Sequence, residues 1–269
     1  MLRIGIIGCG TIGAKLAKYI DGNLKNKAKL LALCDIDEKK ANALANALKS
    51  KPKVKAAGAL INCVDLVIEA AAAKVSYEIA KQAISAGKDV MIMSTGGLLQ
   101  GFKSLFELAE KKECKIYLPS GALCGLDGLK GAKYSAIKKV TLTTKKPPLG
   151  FKGAPYVVKR KIALDKIRSE EVLFEGNALD AIEGFPANIN VAATLGLCGI
   201  GSKKTKVKII ASPKLNRNIH EVEVEGEFGK LVARTENVPS PENPKTSYLA
   251  ILSAIATLNG ILEHVKIGT

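Results

Sequence analysis

Residues 1–119 alternate between short apolar runs and segments whose apolar residues have helical spacing. Runs such as LRIGIIGC, KLLALCDID and VDLVIEAA are each followed by a stretch rich in helix formers. Because strands that are apolar at every position are buried on both faces, this alternation predicts a parallel sheet covered by helices on both sides. We expect a first domain over residues 1–119 with this α/β architecture.

The pattern changes from about residue 135, where alternating polar and apolar residues predict strands without obligatory helices between them. The segments with this pattern are KKVTLTTKK, YVVKRKIAL, TKVKIIASP, IHEVEVEGEFG and KLVARTENV. They predict an open, largely antiparallel sheet, interrupted by a helix over 186–198 with Pro186 in its first turn. We expect a second α+β domain over 120–243 and a long helix over about 244–266 that returns to the first domain.

The glycines of GCGTIG lie between the first predicted strand and the first predicted helix. In a Rossmann doubly wound sheet, Gly8 permits the tight turn, Gly10 lets a pyrophosphate approach the backbone, and Gly13 allows close packing of helix on strand. The helix that opens at Thr11 and Ile12 directs backbone N–H groups toward the phosphates. The turn therefore predicts a dinucleotide site for NAD or NADP, against the alternative of a glycine turn in a domain that binds no ligand.

Asp35 ends the second predicted strand, about twenty residues beyond the glycine turn, where dinucleotide-binding proteins carry an acidic residue. Its carboxylate can accept hydrogen bonds from a ribose diol and repels a 2′-phosphate, which favours NAD over NADP. Lys39 and Lys40 follow closely and offer partial accommodation of a phosphate.

Small residues follow the later strands at 70–73, 94–97 and 120–122. Because ligands of such sheets bind beyond the carboxyl ends of the strands, these segments are predicted to leave room for a nicotinamide ring and its ribose. Close packing of the loops is the alternative.

The chain has two histidines, the only side chains that titrate near neutral pH without perturbation. His264 is expected at the solvated end of the final helix. His220 shares one strand face with Val222 and Val224, while the intervening glutamates share the other, so its imidazole is predicted to point inward. From this position alone it is either a catalytic group or a hydrogen-bonded structural histidine.

Two asparagines, Asn188 and Asn190, stand in the first turn of the 186–198 helix, where they either cap the helix or donate to a ligand amide. The six cysteines are scattered singly without CxxC spacing, so they are expected to be reduced and to bind no metal.

Lysine and arginine total 41 against 25 acidic residues, which gives a formal net charge of +16. The lysines are spread evenly and are not interleaved with aromatic residues, which argues against nucleic acid and leaves two alternatives, attraction of an acidic small molecule and a surface that is merely coated with lysine. No signal peptide and no stretch of 18 uncharged apolar residues is seen, so we expect a cytoplasmic protein with no membrane contact.

Four segments, GIIGCGTIG, IYLPSGALCGLDGLKGA, GFPANINVAATL and NRNIHEVEVEGEFG, together resemble the NAD-linked L-aspartate dehydrogenases of archaea and bacteria. The resemblance implies a homodimeric two-domain enzyme that oxidises L-aspartate with NAD or NADP to iminoaspartate. Water then releases ammonia and gives oxaloacetate, and in some organisms iminoaspartate supplies NAD biosynthesis through quinolinate. The family's catalytic histidine falls on His220, and its nicotinamide-side contacts fall on Ala122 and Asn188.

Two enzyme classes share the two-domain plan and remain alternatives. Dihydrodipicolinate reductases carry a paired-histidine helix that is absent from this sequence, and inositol dehydrogenases carry Glu-Lys-Pro where this sequence has Met93-Ser94-Thr95. A regulator that senses NAD and binds DNA is a third alternative, disfavoured because no helix-turn-helix or basic arm is found.

Overall fold

The structure is a computed structural model that describes residues 1–186 and 189–268. The chain divides into two compact units. The N-terminal unit comprises Met1–Pro119 and Ile251–His264, and the C-terminal unit comprises Ser120–Ala250 and the residues from Val265 onward.

The N-terminal unit contains a six-stranded sheet with the strand order β3-β2-β1-β4-β5-β6. Its strands are β1 Leu2–Ile7, β2 Ala28–Cys34, β3 Lys53–Val54, β4 Leu66–Glu69, β5 Asp89–Ile92 and β6 Ile116–Tyr117. Its helices are α1 Thr11–Asn23, α2 Glu38–Ala47, α3 Ala57–Asn62, α4 Ala73–Ser85 and α5 Phe102–Lys111. Every pair of neighbouring strands is parallel, so the predicted doubly wound sheet is confirmed.

The apolar runs of the first domain are buried as strands. Ile4 and Ile6 in β1 and Leu66 and Ile68 in β4 are at most 1% exposed and belong to one core cluster. Each such side chain stabilises the fold by roughly 1.5–3 kcal/mol relative to an exposed position. The buried central strands therefore fix the positions of the turns at their carboxyl ends.

The C-terminal unit contains a five-stranded sheet with the strand order β11-β10-β7-β9-β8 and a two-stranded ribbon of β12 and β13. The strands are β7 Ile137–Lys146, β8 Glu171–Asn177, β9 Lys206–Ala211, β10 Asn218–Gly226, β11 Gly229–Asn237, β12 Pro239–Ser240 and β13 Asn243–Ser247. The helices that precede or interrupt them are α6 Leu126–Ala132, α7 Pro155–Lys159, α8 Ala178–Gly184 and α9 Ile189–Cys198. Only the β7–β9 pair is parallel, so the sheet is largely antiparallel, as predicted.

The segment YVVKRKIAL is not a strand, contrary to the sequence-based expectation. It forms α7 and a short 3-10 turn over Leu164–Lys166. Pro155 occupies the first turn of α7, where its missing N–H costs no hydrogen bond, and Val157 is buried in the core of the C-terminal unit. Strand β8, which the sequence analysis did not predict, forms the edge of the sheet beside β9.

The final helix, α10 Tyr248–Leu262, is shorter than the predicted span of 244–266. Residues 243–247 form β13 instead, and the exposed His264 lies beyond the end of the helix. Ala254 and Leu258 of α10 are fully buried in the core of the N-terminal unit. Over the part of the chain that the structure describes, no helix combines the length and the hydropathy needed to cross a bilayer.

Candidate active site

The turn after β1 requires glycine at two of its positions. Gly8 has φ of +103°, and a β-carbon there would lie 2.4 Å from the carbonyl carbon and oxygen of Ala70. A β-carbon at Gly13 would lie 1.9 Å from the carbonyl oxygen of Gly8. Both distances are far inside van der Waals contact, so these glycines provide the tight turn and the close approach of α1 to the strand.

Gly10 differs from these two glycines because a β-carbon there would meet no atom within 4 Å. It is the exposed N-cap residue of α1, no side chain caps the helix, and the first turn carries no acidic residue. Thr11 and Ile12 follow as the first helical residues, and Ile12 packs on the core. The start of α1 therefore presents backbone N–H groups and a positive helix dipole to open space, which fits an anionic phosphate.

Asp35 is fixed beside this turn by two backbone donors. The N–H of Cys9 donates to Oδ2 at 2.6 Å, and the N–H of Asp37 donates to Oδ1 at 2.9 Å. A carboxylate oxygen has lone pairs left after one such bond, so Asp35 retains the capacity to accept from ribose hydroxyls. Ile36, which the sequence analysis did not single out, is a fully exposed apolar side chain next to this carboxylate.

A buried carboxylate that the sequence analysis missed organises the loops after β4 and β5. Glu69 is fully buried, and its two oxygens accept from the N–H of Ala71 at 2.8 Å and the N–H of Ser94 at 3.1 Å. The Ser94 hydroxyl donates to the Ala71 carbonyl at 2.8 Å. Burial raises the pKa of Glu69, and these hydrogen bonds oppose that rise. Glu69 thus joins two loops at the carboxyl edge of the sheet.

The loop over 94–97 is closely packed against α4, as the alternative in the sequence analysis predicted for this segment. Thr95 and Gly96 are buried, and a β-carbon at Gly97 would lie 1.9 Å from the carbonyl oxygen of Ala73 in α4. Gly121, in contrast, has φ of +66° and open space around its would-be β-carbon. The 120–122 turn is therefore the less crowded of these two segments.

His220 lies on β10 and points to the inner face of its sheet, as predicted. Val222 and Val224 on the same face are buried in the core, and the imidazole itself is 5% exposed. Strand pairing places Thr144 of β7 directly opposite His220, and the two side chains share a hydrogen bond of 3.0 Å between Oγ1 and Nδ1. The direction of this bond depends on which ring nitrogen carries the hydrogen.

The inner face of β7 changes from apolar to polar side chains along the strand. Val140 and Leu142 are buried apolar residues, whereas Thr144 and Lys146 continue the same face with polar groups. Burial, followed by the charge of Lys146, lowers the pKa of His220 to about 3. The imidazole is therefore uncharged at neutral pH, and it lies where an apolar sheet face becomes polar.

Ala122 is hydrogen-bonded to β11, the strand that pairs with β10 beside His220. Its carbonyl oxygen accepts from Thr235 Oγ1 at 2.9 Å and from Asn237 Nδ2 at 3.1 Å. Thr235 pairs with His220 across β10 and β11. The structure thus brings Ala122 and His220 together within the C-terminal unit, through two polar residues that the sequence analysis did not identify.

Asn188 lies outside the described residues, and Asn190 is exposed in the first turn of α9. The six cysteines are free thiols. Burial raises the pKa of the Cys9 thiol to about 12, so this residue of the glycine turn stays protonated and unreactive. Among residues 1–186 and 189–268, no group of three potential metal ligands is found.

Two family models match the chain, and together they cover nearly all of it. The model described as "Aspartate dehydrogenase, C-terminal" matches residues 127–261. The model described as "Homoserine dehydrogenase, NAD binding domain" matches residues 8–119, the region that contains the glycine turn and Asp35.

Curated relatives match over their full length. The L-aspartate dehydrogenase of Methanosarcina acetivorans is 54% identical over 100% of both chains. The L-aspartate dehydrogenase of Nitrosopumilus maritimus is 42% identical, again over 100% of both chains.

Among solved structures, the aspartate dehydrogenase of Thermotoga maritima matches with a TM-score of 0.77 and 27% identity over 100% of both chains. A scyllo-inositol dehydrogenase of Lactobacillus casei matches with a TM-score of 0.60 but 15% identity, over 100% of this chain and 90% of that one, which shows a shared fold alone. With both family models, full-length relatives and the Thermotoga structure in agreement, the chain belongs to the L-aspartate dehydrogenase family.

Proposed function

We propose that this protein oxidises L-aspartate with NAD or NADP to iminoaspartate, which water converts to oxaloacetate and ammonia. The observation that carries the proposal is the buried, uncharged His220 imidazole beside Thr144, inside the region that matches the C-terminal family model of aspartate dehydrogenase. A relative that is 54% identical over its whole length is named L-aspartate dehydrogenase.

The dinucleotide is held by the turn that Gly8, Gly10 and Gly13 form, with its phosphates at the N–H groups of Thr11 and Ile12. The open space at Gly10 and the absence of a side-chain cap at this described end of α1 support this assignment. Asp35 accepts from the adenosine ribose and favours NAD, and the exposed Ile36 offers an apolar surface for the adenine. When bound, the nicotinamide ring accepts the hydride that leaves Cα of the substrate.

His220 takes the proton that must leave the substrate ammonium before hydride can depart. For Nε2 to accept that proton, Nδ1 has to carry the ring hydrogen and donate it to Thr144 Oγ1, which fixes the tautomer and the orientation of the ring. The bound substrate brings carboxylate charge close to the ring, and this raises the affinity of the imidazole for a proton. After this proton has passed to solvent, the uncharged His220 takes a proton from the water that attacks the imine carbon. It then returns that proton to the nitrogen, and ammonia leaves as oxaloacetate forms.

Ala122 is assigned to the nicotinamide side of the site by the family resemblance. Its carbonyl oxygen is already occupied by Thr235 and Asn237, which holds the 120–122 turn in place. Asn188 is assigned to the same side by the resemblance alone.

We further propose that the N-terminal unit binds the dinucleotide, that the C-terminal unit carries the substrate and the dimer contact, and that the enzyme is a cytoplasmic homodimer. The resemblance to aspartate dehydrogenases supports these points. Light scattering of the purified protein coupled to gel filtration is expected to give twice the mass of the 28.4 kDa chain.

The decisive assay follows NADH and NADPH formation by the purified protein with a panel of L-amino acids. We expect L-aspartate to give the highest kcat/KM, ahead of L-glutamate, L-asparagine and L-alanine, and NAD to be preferred to NADP. Absence of turnover with L-aspartate, or a clear preference for a monocarboxylic amino acid, would contradict the proposed substrate.

A further inference from the structure

Lys146 is a partly buried cation for which the described residues provide no carboxylate partner. Its neighbour Lys145 forms an ion pair with Glu170 at 2.9 Å, but no ion pair of the described residues involves Lys146. Burial lowers the pKa of Lys146 to about 8, below the usual value for lysine. A lysine in this setting lowers the stability of the free protein unless something negative compensates it, and proteins keep such groups mainly at functional sites.

The strand register places Lys146 on the same face as His220. Thr144 is the residue opposite His220, and Lys146 follows two positions later, so all three side chains leave the sheet on the same side. A diagonal neighbour of this kind lies about 7–8 Å away between Cα atoms, within reach of a long side chain. The charge of Lys146 in fact acts on His220, where it is the second cause of the lowered pKa.

The backbone at this end of β7 is fixed, so the position of Lys146 is defined by the sheet. Lys146 pairs with Ala211 of β9, and its carbonyl oxygen accepts from the N–H of Ser212 at 2.9 Å. Pro147 and Pro148 then end the strand. Lys145, one position earlier, points to the opposite face and pairs there with Glu170. The chain therefore carries two adjacent lysines, of which one is neutralised and one is not.

We propose that the ammonium group of Lys146 binds a carboxylate of the aspartate substrate and holds the amino group of that substrate against His220. This inference rests on the proposed function and adds a binding residue to it. On this sheet face the uncharged imidazole of His220 can accept a proton from an amino group, and the ammonium of Lys146 beside it can bind a carboxylate. The pair is therefore complementary to an amino dicarboxylate. Lysine offers three donors to such a group, and a charge-assisted bond of this type is stronger than a neutral one.

The test compares Lys146→Gln and Lys146→Met with the adjacent control Lys145→Gln. For each folded variant, calorimetry measures binding of succinate to the enzyme–NADH complex, and a second titration measures binding of NADH alone. Succinate has two carboxylates and no amino group, so its affinity reports the carboxylate site without requiring turnover. The KM for L-aspartate is measured beside it, and Lys146→Arg tests whether a different cation restores binding.

We expect both neutral variants at position 146 to weaken succinate binding and to raise the KM for L-aspartate by about 10- to 100-fold, the usual effect of losing a hydrogen bond to a charged group. NADH affinity is expected to stay unchanged, Lys145→Gln to stay within about twofold of wild type, and Lys146→Arg to recover part of the loss.

Wild-type succinate affinity in folded Lys146→Met would overturn the assignment. An equal loss in Lys145→Gln would also overturn it, since the effect would then come from net charge. A loss of NADH affinity in place of succinate affinity would show that Lys146 contacts a cofactor phosphate. If the wild type binds succinate through Lys146 but does not oxidise aspartate, the proposed function fails while the carboxylate site stands.

Discussion

At the residue scale, His220 is the position where catalysis and structure are most easily confused, because it is buried and hydrogen-bonded. Replacing His220 by Asn should lower kcat for L-aspartate by roughly 10²–10⁴-fold, the usual contribution of a general acid–base group. NADH affinity should stay near wild type, since the residue lies on β10 and not at the glycine turn. Steady-state kinetics and fluorescence titration of NADH on one purified preparation provide both measurements.

The same variant is also expected to change how the stability of the protein depends on acidic pH. The folded-state pKa of His220 is about 3 against an ordinary value of 6.5, so the unfolded chain binds the proton first as pH falls. The stability that comes from keeping this imidazole neutral is therefore complete above about pH 6.5 and is lost as pH falls toward 3, at up to about 1.4 kcal/mol per pH unit. Chemical denaturation at several pH values should show a shallower acid loss for His220→Asn than for wild type. Unchanged kcat together with a large loss of stability at neutral pH would make the residue structural.

Asp35 is expected to set the cofactor preference. Replacing it by Ser should shift the ratio of kcat/KM values toward NADP by on the order of 1–3 kcal/mol, because the carboxylate that opposes a 2′-phosphate is removed. The control is Asp37→Ser, which removes a nearby carboxylate but keeps an oxygen to cap α2, where Asp37 accepts from the N–H of Lys39 at 3.1 Å. An equal shift in both variants would mean that general charge, and not the ribose contact, decides the preference.

At the element scale, the start of α1 is expected to bind the dinucleotide phosphates. A β-carbon at Gly10 would meet no atom of the described residues within 4 Å. Gly10→Val should therefore fold normally but lose cofactor binding, because the side chain fills the space that the phosphates need. Gly22 lies at the other end of the same helix and also has open space, so Gly22→Val is the matched control. Wild-type NADH affinity of Gly10→Val by calorimetry, or equal losses in both variants, would place the phosphates elsewhere.

The elements that the sequence predicted best are those whose signal is local. Buried parallel strands such as β1 and β4 are mostly apolar, and the glycine turn places its residues within one short segment. The segment at 156–164 was predicted incorrectly because a few alternating apolar residues are as compatible with a short helix as with a strand. There Pro155 and the burial of Val157 decided the outcome.

The parts of the site that could not be predicted depend on register. The face of β10 was readable from its alternation, so the inward direction of His220 was predicted correctly. Which residue of β7 lies opposite His220 is fixed only by pairing across a long sequence separation, and the pattern within KKVTLTTKK carries no such information. Thr144, Lys146 and Thr235 were missed for this reason. Glu69 was missed because a buried carboxylate inside an apolar run has no periodic signal.

At the scale of the whole molecule, the formal net charge of +16 comes from lysines that are spread along the whole sequence. Several of the described ion pairs are solvent-exposed, such as that between Arg234 and Glu236 at 2.8 Å, and pairs of this kind contribute little to stability. The excess of lysine therefore acts mainly through its long-range field, which raises the local concentration of anionic small molecules.

The enzyme is consequently expected to lose kcat/KM for L-aspartate as salt screens this field. The Debye length falls from about 30 Å at 0.01 M to about 8 Å at 0.15 M ionic strength, so kcat/KM should fall several-fold over this range while kcat at saturating substrate stays nearly constant. Sodium chloride and sodium sulfate compared at equal ionic strength separate two explanations, because screening depends on ionic strength whereas a sulfate ion can also compete for a carboxylate site. Equal curves for the two salts support the long-range field. A flat kcat/KM, or a fall confined to sulfate, would show that the net charge plays no part and that local anion binding controls the salt response.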